Sequence, residues 1–380
     1  MKQFWLKQPQ EIKNTILAVA LVAAIVLYLY FFKFAGNITG FFRIGSILPL
    51  SLFLTGQDIF IYQGELGYDG QMFLSLSLDP FLQDSGTIDA LDHPQYRYRR
   101  ILYPLLGYIF GLGNPQLIPY IMVGLNCVFI ILIVFVSSLY LRKYPSITWQ
   151  GLLVLCIPGI WIILSLSTAG LLSSLLLVSA LYFYRQERPI STALSIAAAC
   201  LNREIMLLMW LAFVLTSIWE RKWRQLQHLL WAWLPAAIWN IYVVYRLKFQ
   251  GTSGVSENFG YPLLGIFNKL ATLVTAGSLA KNLFEAFSFG LLPMICLAIF
   301  LIYRERHQDN KIIIIATLLY GALLLMSSLA ILNYYLDYSR VYINLYFLLL
   351  LAATYRYTLW KTILFIAAGL ASISFLLAHS

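Results

Sequence analysis

The chain has 380 residues, of which 61% are hydrophobic and only 11% are charged, and its formal net charge is +10. Apolar runs recur up to the C-terminus, and several approach the roughly 20 residues that cross a bilayer as a helix. These properties exclude an ordinary soluble protein and predict an all-α polytopic membrane protein, because lipid offers no hydrogen-bond partner to an open backbone. The basic residues lie mostly in short segments between apolar runs, which orients a membrane protein and does not indicate nucleic-acid binding.

The first predicted spanning helix covers residues 15–32 and follows several lysines, and a second long helix at residues 116–141 ends at Arg142 and Lys143. Because Lys and Arg are enriched in cytoplasmic loops, this pattern predicts a cytoplasmic N-terminus and places residues 35–115 outside. Later basic clusters alternate with apolar runs in the same way. Altogether the sequence predicts about 10 to 12 spans, which form a single transmembrane domain over residues 1–380.

The segment at residues 35–115 is predicted to be a long first external loop. Two apolar pieces within it, at residues 41–54 and 101–112, are too short to span and predict short helices at the interface or against the bundle. A loop of this length is either functional or disordered, and its aromatic content favours a functional loop. It carries a large share of the acids in the chain: Asp58, Glu65, Asp69, Asp79, Asp84, Asp89 and Asp92.

Asp69 has the most unusual surroundings of these acids, because the sequence GYDGQMF at residues 67–73 places it between two glycines and among aromatic side chains. One interpretation is a turn residue that caps backbone amides, since Asp-Gly is a common turn pair. Tyr68 and Phe73 favour a functional role instead, because sugar rings stack on aromatic faces. Both interpretations stay open at the level of sequence.

Further charged residues follow in three parts of the chain that the predicted topology brings to the external face. The arginines among them could grip lipid headgroups, but an external arginine cluster runs against the positive-inside rule, which favours a specific anionic partner. Residues 190–219 are predicted to form a short hairpin with Arg203 and Glu204 at its tip, where the two side chains could also be a structural pair. The residues are Asp92, His93, Arg97, Arg99 and Arg100 in DHPQYRYRR, Arg203 and Glu204 in CLNREIML, and Asp337 and Arg340 in NYYLDYSRVY.

A pocket with arginines, a carboxylate and aromatic walls suits a substrate that joins an anionic headgroup to a sugar and a lipid tail. Arginine binds phosphate through a planar fork, and a carboxylate can accept a proton from an attacking hydroxyl. A sugar carried on a polyprenyl phosphate has this chemistry. The candidates are Asp69 or Asp92 for the base, Arg97, Arg99, Arg100, Arg203 and Arg340 for the phosphate, Tyr68 and Phe73 for the sugar, and Gln71, His93, Glu204 and Asp337 as further substrate-binding residues.

With these motifs the chain resembles the GT-C superfamily of polytopic glycosyltransferases, and it is similar to bacterial membrane proteins that share YDGQ, a YRYRRILYP-like run and a later R-E pair. The resemblance covers nearly the whole chain and rests on the first helix, the long external loop with short helices and the acid near its start. It implies that Asp69 is the general base, that the donor is a polyprenyl-phosphate sugar and that one direct displacement inverts the anomeric centre. GT-C members often carry two adjacent acids where this chain has one.

The expected partners are the donor, membrane lipids and an acceptor that is a glycan, a lipid or a protein, and the expected location is the inner membrane of a bacterium. No cofactor is predicted, because His93 beside Asp92 is far short of a metal-ligand set and the four cysteines lack C-x-x-C spacing. The resemblance leaves a divalent ion open. The alternative function is a transporter or flippase of a lipid-linked or anionic substrate, which would place ionisable residues deep in several spans and relate the two halves of the chain.

Overall fold

The computed structural model describes residues 8–247, 256–275, 278–304, 311–352 and 358–378. Within these ranges the chain is helical apart from its connections and one pair of two-residue strands. In chain order the α-helices are α1 (Gln10–Tyr28), α2 (Asp69–Leu78), α3 (Ser85–Asp89), α4 (Pro94–Tyr98), α5 (Leu102–Phe110), α6 (Ile118–Leu141), α7 (Pro158–Ser165), α8 (Gly170–Arg185), α9 (Pro189–Asn202), α10 (Met206–Trp219), α11 (Trp223–Leu229), α12 (Leu234–Leu247), α13 (Leu264–Thr275), α14 (Leu279–Tyr303), α15 (Lys311–Met326), α16 (Leu329–Leu332), α17 (Tyr335–Val341), α18 (Ile343–Leu351) and α19 (Thr358–Ala378).

Four helices among the described residues are long and apolar enough to cross a membrane. They are α1 with a π-helical extension (Gln10–Lys33), α6, α14 and most of α19 (Thr358–Leu377). The segments Ile147–Cys156 and Pro158–Ser165, which are bent by 45°, would add one more if they cross as a unit. The all-α membrane class is therefore confirmed, and α1 and α6 lie where the sequence predicts long spanning helices. The total of about 10 to 12 spans stays a prediction.

The apolar stretch around Arg203 forms two short helices, α9 and α10, with a break between them. Each has 14 residues, which corresponds to ~21 Å of helix and is less than the ~30 Å of a bilayer core. Asn202 fixes the break, because its side chain donates to the Ala169 carbonyl (2.8 Å) and to Ser173 Oγ (2.7 Å) and accepts from the Tyr103 amide (3.2 Å). The predicted break at the N-R-E sequence is confirmed.

The first apolar piece of the long loop is not a continuous helix. It contains strand β1 (Ile44–Gly45), which pairs in parallel with β2 (Ile61–Tyr62), and it overlaps two short 3₁₀ segments. A Cβ on Gly45 would lie 2.2 Å from the carbonyl oxygen of Glu65, so the strand depends on a close backbone approach that only glycine allows. The prediction of a helix at residues 41–54 is wrong, because the glycine, serine and proline residues there favour turns and backbone pairing.

The second apolar piece of the loop forms α5, as predicted, and α5 lies against α2 and α6. Ser77 on α2 donates through Oγ to the Pro104 carbonyl on α5 at 2.9 Å. The Tyr103 hydroxyl on α5 donates to the Met122 carbonyl on α6 at 3.0 Å. The loop is therefore a packed layer on the helix bundle, and this layer holds α2, whose first residue is Asp69.

Candidate substrate site

Asp69 is bonded to two arginines that come from distant parts of the chain. Arg97 Nη1 donates to Oδ1 at 2.5 Å, and Arg340 Nη1 donates to Oδ2 at 2.8 Å. The N-cap residue of α2 is Tyr68, and its side chain accepts no hydrogen bond from a backbone amide of the helix. The carboxylate therefore links two arginines and does not act as a turn cap.

The two glycines beside Asp69 have separate structural roles. Gly67 has a φ of +91°, in the left-handed region that side chains disfavour. Gly70 has no such constraint, but a Cβ there would lie 2.2 Å from the Leu166 carbonyl oxygen and 2.8 Å from that of Phe42. Together the glycines set the direction in which the chain enters α2 and the depth at which α2 packs.

Arg97, on α4, is held by two carboxylates at once. Its Nε and Nη2 donate to Asp92 Oδ1 and Oδ2 at 2.7 Å and 2.6 Å, while Nη1 donates to Asp69. Pro94 begins α4, a position that suits its fixed φ, and the short helix brings Arg97 back to Asp92. This bidentate pair fixes the guanidinium group, so Asp92 is placed as a partner of Arg97.

Arg340, on α17, is oriented by Asp337 and Tyr68. Its Nη2 donates to Asp337 Oδ1 at 2.9 Å, and the same oxygen accepts the Tyr68 hydroxyl at 2.5 Å. The Arg340 guanidinium carbon lies 4.4 Å from the centroid of the Tyr68 ring, which is a cation–π contact. One face of the Tyr68 ring is therefore covered by an arginine, which is a different role from the predicted sugar platform.

Arg100 forms a second ion pair with Glu204, at the tip of the α9–α10 hairpin. Arg100 Nε donates to Glu204 Oε2 at 2.9 Å, and its Nη2 donates to Glu204 Oε1 and to the Tyr96 hydroxyl. The guanidinium carbon also lies 4.3 Å from the centroid of the Tyr96 ring. Glu204 is thus the ion-pair partner of Arg100, and the described residues show no ion-pair contact between Glu204 and its neighbour Arg203.

Arg203 has no carboxylate partner among the residues that the structure describes. Its Nη1 donates to the Arg340 carbonyl at a long 3.4 Å. The charges of Arg100 and Arg340 oppose its own charge, and Glu204 acts in its favour but is already held by Arg100. Arg203 is therefore an arginine of this cluster without an ion pair among the described residues, and its donors suit an anion.

These side chains border a cavity of about 450 Å³. Its charged lining residues are Asp69, Arg97, Arg100, Arg203, Glu204, Glu257, Asp337 and Arg340, and His93 also lines it. Its apolar lining includes Leu207, Leu208, Leu323, Ile331 and Val341. A cavity that combines arginines with aliphatic side chains fits a ligand that has an anionic head and an apolar tail.

Five predicted site residues do not line this cavity: Tyr68, Gln71, Phe73, Asp92 and Arg99. Phe73 is 2% exposed and packs edge-on against Tyr103, because it lies one helical turn below Asp69 in the core. Gln71 is also buried, and its Oε1 accepts the Gly45 amide at 3.0 Å. Arg99 does not line the cavity, since residues two apart on a short helix point in different directions.

A buried ion pair, which sequence reasoning missed, holds the start of α17. Lys269 Nζ donates to Glu285 Oε2 and to the Asn333 carbonyl, both at 2.7 Å. Glu285 Oε1 in turn accepts the Tyr335 amide at 3.0 Å. Because Asn333 and Tyr335 flank the beginning of α17, the pair fixes the helix that carries Arg340. The available signal was a Lys and a Glu within apolar helices, where ionisable residues are rare.

Asp69 keeps its negative charge over the whole physiological range. Burial alone would raise the pKa of its carboxyl group, but the charges of Arg97 and Arg340 outweigh burial and hold the pKa well below its ordinary value of 3.8. A carboxylate with a depressed pKa is a weak base. Asp69 therefore becomes an effective proton acceptor only when at least one of its arginines moves its charge elsewhere.

The depressed pKa of Asp69 predicts how the stability of the protein depends on pH. A carboxyl group whose pKa is lower in the folded state than in the unfolded state stabilises the fold at every pH above its unfolded-state pKa. This stability is lost as the pH falls through the folded-state pKa. We expect the difference in Tm between the wild type and Asp69→Asn to stay constant from about pH 8 to about pH 5 and to shrink only below about pH 4. Thermal unfolding in detergent measures this, and a difference that already shrinks above pH 5 would contradict the double ion pair.

No group of three or more His, Cys, Asp or Glu side chains that could hold a metal ion is present in the described part of the chain. Comparison with protein-family models, with curated proteins and with solved structures gave no match for this chain.

Proposed function

We propose that the protein is a membrane glycosyltransferase, which moves a sugar from a polyprenyl-phosphate donor to an acceptor at the external face of a bacterial inner membrane. The observation that carries the proposal is the cavity lined by four arginines, by Asp69 between two of them and by aliphatic side chains. The donor likewise combines an anionic phosphate and a polar sugar with an apolar prenyl chain. Its phosphate would bind at Arg203, with Arg100 and Arg340 adjacent, and its chain would lie along Leu207 and Leu208.

The reaction would be a single displacement. The acceptor hydroxyl oxygen forms a bond to the anomeric carbon while the bond from that carbon to the phosphate oxygen breaks, and the electron pair leaves with the polyprenyl phosphate. Asp69 takes the proton of the acceptor hydroxyl. A donor phosphate that draws Arg340 or Arg97 towards itself would weaken one ion pair of Asp69 and raise the proton affinity of the carboxylate. The donor would therefore bind before Asp69 can act as the base.

Arg203→Lys tests the phosphate site, because lysine keeps the charge and loses the planar fork. We expect polyprenyl phosphate to bind about tenfold more weakly to this variant, since a hydrogen bond to a charged group contributes on the order of 1.5 kcal/mol. Arg99→Lys is the matched control, because Arg99 belongs to the same basic cluster of the sequence but does not line the cavity. Binding of radiolabelled polyprenyl phosphate to the detergent-solubilised protein measures both, and equal affinities of the two variants would remove the phosphate assignment.

The proposed orientation predicts that Ser85 and Gln186, which are both exposed, lie on opposite sides of the membrane. In a variant whose four native cysteines are replaced by serine, Ser85→Cys should react with a membrane-impermeant maleimide in intact spheroplasts. Gln186→Cys should react only after the membrane is permeabilised. Equal labelling of both in sealed cells would place the cavity on a different side from the one proposed.

A transporter or flippase is the second candidate, and buried ionisable residues are the observation that favours it. Glu285 and Lys361 lie within spanning helices, and Lys269 pairs with Glu285. Lys361 Nζ donates to the carbonyls of Leu350 and Ala352 at the end of α18, and Lys269 and Glu285 neutralise each other, so each of these charges already has partners. Movement of a fluorescent polyprenyl phosphate across proteoliposomes without any sugar transfer would favour this function over the first.

A further inference from the structure

A second charged cavity, of about 400 Å³, lies at the other end of the helix bundle. Its lining includes Arg142 and Lys143, which follow α6, Arg185 at the end of α8, and the aromatic rings of Tyr140 and Tyr182. No Asp or Glu of the described residues is part of this lining. The cavity therefore brings together three basic side chains from two helix ends.

Helix direction places this cavity on the membrane face opposite the candidate substrate site. α8 begins at Gly170, where an added Cβ would lie 3.4 Å from Arg203 Nη1, and it ends at Arg185. Its 16 residues correspond to ~24 Å. Arg142 also pairs with Glu11 at 3.0 Å, in the first turn of α1, so ends of the spanning helices α1 and α6 meet here. The cavity thus lies at the level where spanning helices leave the membrane.

Aromatic contacts hold the basic side chains in place. Arg185 Nη1 donates to the Tyr140 carbonyl at 3.0 Å, and its guanidinium carbon lies 4.6 Å from the ring centroid of Tyr140 and 5.3 Å from that of Tyr144. Lys143 Nζ lies 5.9 Å from the same Tyr144 ring. Orientation by the positive-inside rule needs charge in a loop and does not need a concave, ordered site.

We propose that this cavity binds the phosphate headgroup of an anionic phospholipid of the surrounding membrane. Basic pockets between membrane helices bind anionic headgroups, and tyrosine rings lie at the same depth of the interface. The phosphate would contact Lys143 and Arg185, and the acyl chains would run along the apolar length of α6 and α8. This site is separate from the cavity proposed for sugar transfer, and its test does not depend on that reaction.

The test uses the full chain in phosphatidylcholine nanodiscs that contain graded amounts of phosphatidylglycerol, with bound lipid counted by native mass spectrometry. The double variant Lys143→Gln with Arg185→Gln should bind phosphatidylglycerol on the order of 20-fold more weakly, about fivefold for each basic residue lost. The double variant Arg221→Gln with Arg224→Gln removes the same charge at exposed positions outside the lining. It should stay within about twofold of the wild type, because charge near the membrane acts only within about a Debye length.

Two outcomes would overturn the proposal. Equal loss of phosphatidylglycerol in both double variants would mean that only the total charge matters. Displacement of the lipid by inorganic phosphate or glycerol phosphate at millimolar concentration would mean that the site takes a soluble phosphate. We expect the control variant to retain phosphatidylglycerol. We also expect that neither inorganic phosphate nor glycerol phosphate displaces this lipid. Because the Tm of every variant is recorded in parallel, a variant that loses lipid only because it unfolds is replaced by Lys143→Gln alone, which leaves the Arg185 contacts intact.

Discussion

Asp69→Asn is expected to lower sugar transfer by on the order of 100-fold or more, because the amide cannot take the proton of the acceptor hydroxyl. The structure adds a second effect. Asp69 neutralises both Arg97 and Arg340, so the variant leaves two buried guanidinium groups with less negative charge, and its Tm should fall as well. Transfer of labelled sugar from a polyprenyl-phosphate donor must therefore be measured at a temperature well below the Tm of the variant.

Asp92→Asn and Asp337→Asn are the matched controls for this experiment. The first removes a carboxylate from Arg97 and the second removes one from Arg340, but both leave Asp69 in place. We expect both controls to keep most of their transfer activity despite a similar loss of stability. If Asp92→Asn is inactive and Asp69→Asn is active, Asp92 is the base. If all three variants lose activity in proportion to their Tm, the carboxylates only hold the arginines and none of them is the base.

Lys269→Met is expected to lower the free energy of unfolding by about 3–5 kcal/mol, because it leaves the buried Glu285 carboxylate without its counter-ion. Both side chains are almost fully inaccessible, so solvent cannot compensate for the lost charge. The change also removes the donor to the Asn333 carbonyl at the start of α17. Urea or thermal unfolding in detergent, followed by circular dichroism, measures the loss.

The pair of Lys222 and Glu220, which is more accessible than Lys269 and Glu285, provides a control with the same substitution. Lys222 Nζ lies 2.9 Å from Glu220 Oε2, but about a third of the Lys222 side chain is accessible to solvent. Lys222→Met should lower the Tm less than Lys269→Met does, because solvent that reaches Lys222 weakens the pair. The double variant Lys269→Met with Glu285→Gln should recover part of the lost stability, since no buried charge remains unpaired. Equal Tm values for the two single variants would mean that Lys269 is not buried as the structure has it.

The convergence of distant charged residues could be predicted from the sequence, whereas their pairing could not. Membrane topology restricts each loop to one of two faces, so Asp69, Arg203 and Arg340 could be assigned to the same one. Topology does not say which acid meets which arginine. Glu204 follows Arg203 directly, yet it pairs with Arg100, which is 104 positions away. The pairing of Glu204 with Arg100 depends on the directions of the side chains at the break between α9 and α10. Assigning loops to one face of the membrane does not predict these directions.

The predictions for Phe73 and for residues 41–54 failed for a different physical reason. Both depended on local structure within the long loop, where apolar composition was interpreted without knowing where each helix begins. Because α2 begins at Asp69, Phe73 falls one turn deeper and enters the core. Around Gly45, the backbone of β1 pairs with that of β2, which comes later in the chain, and does not form a local helix. The long helices α1 and α6 were predictable because their apolar runs match the thickness of a bilayer.

The two arginines on Asp69 are made at very different times during synthesis of the protein. Arg97 follows Asp69 by 28 positions, whereas Arg340 follows it by 271. Most of the helices must therefore be synthesised before the ion pair between Asp69 and Arg340 can form. A chain that is released before Arg340 lacks this ion pair. Assembly of this carboxylate site therefore requires synthesis of the chain through Arg340, so a product that is truncated before Arg340 cannot carry the assembled cavity.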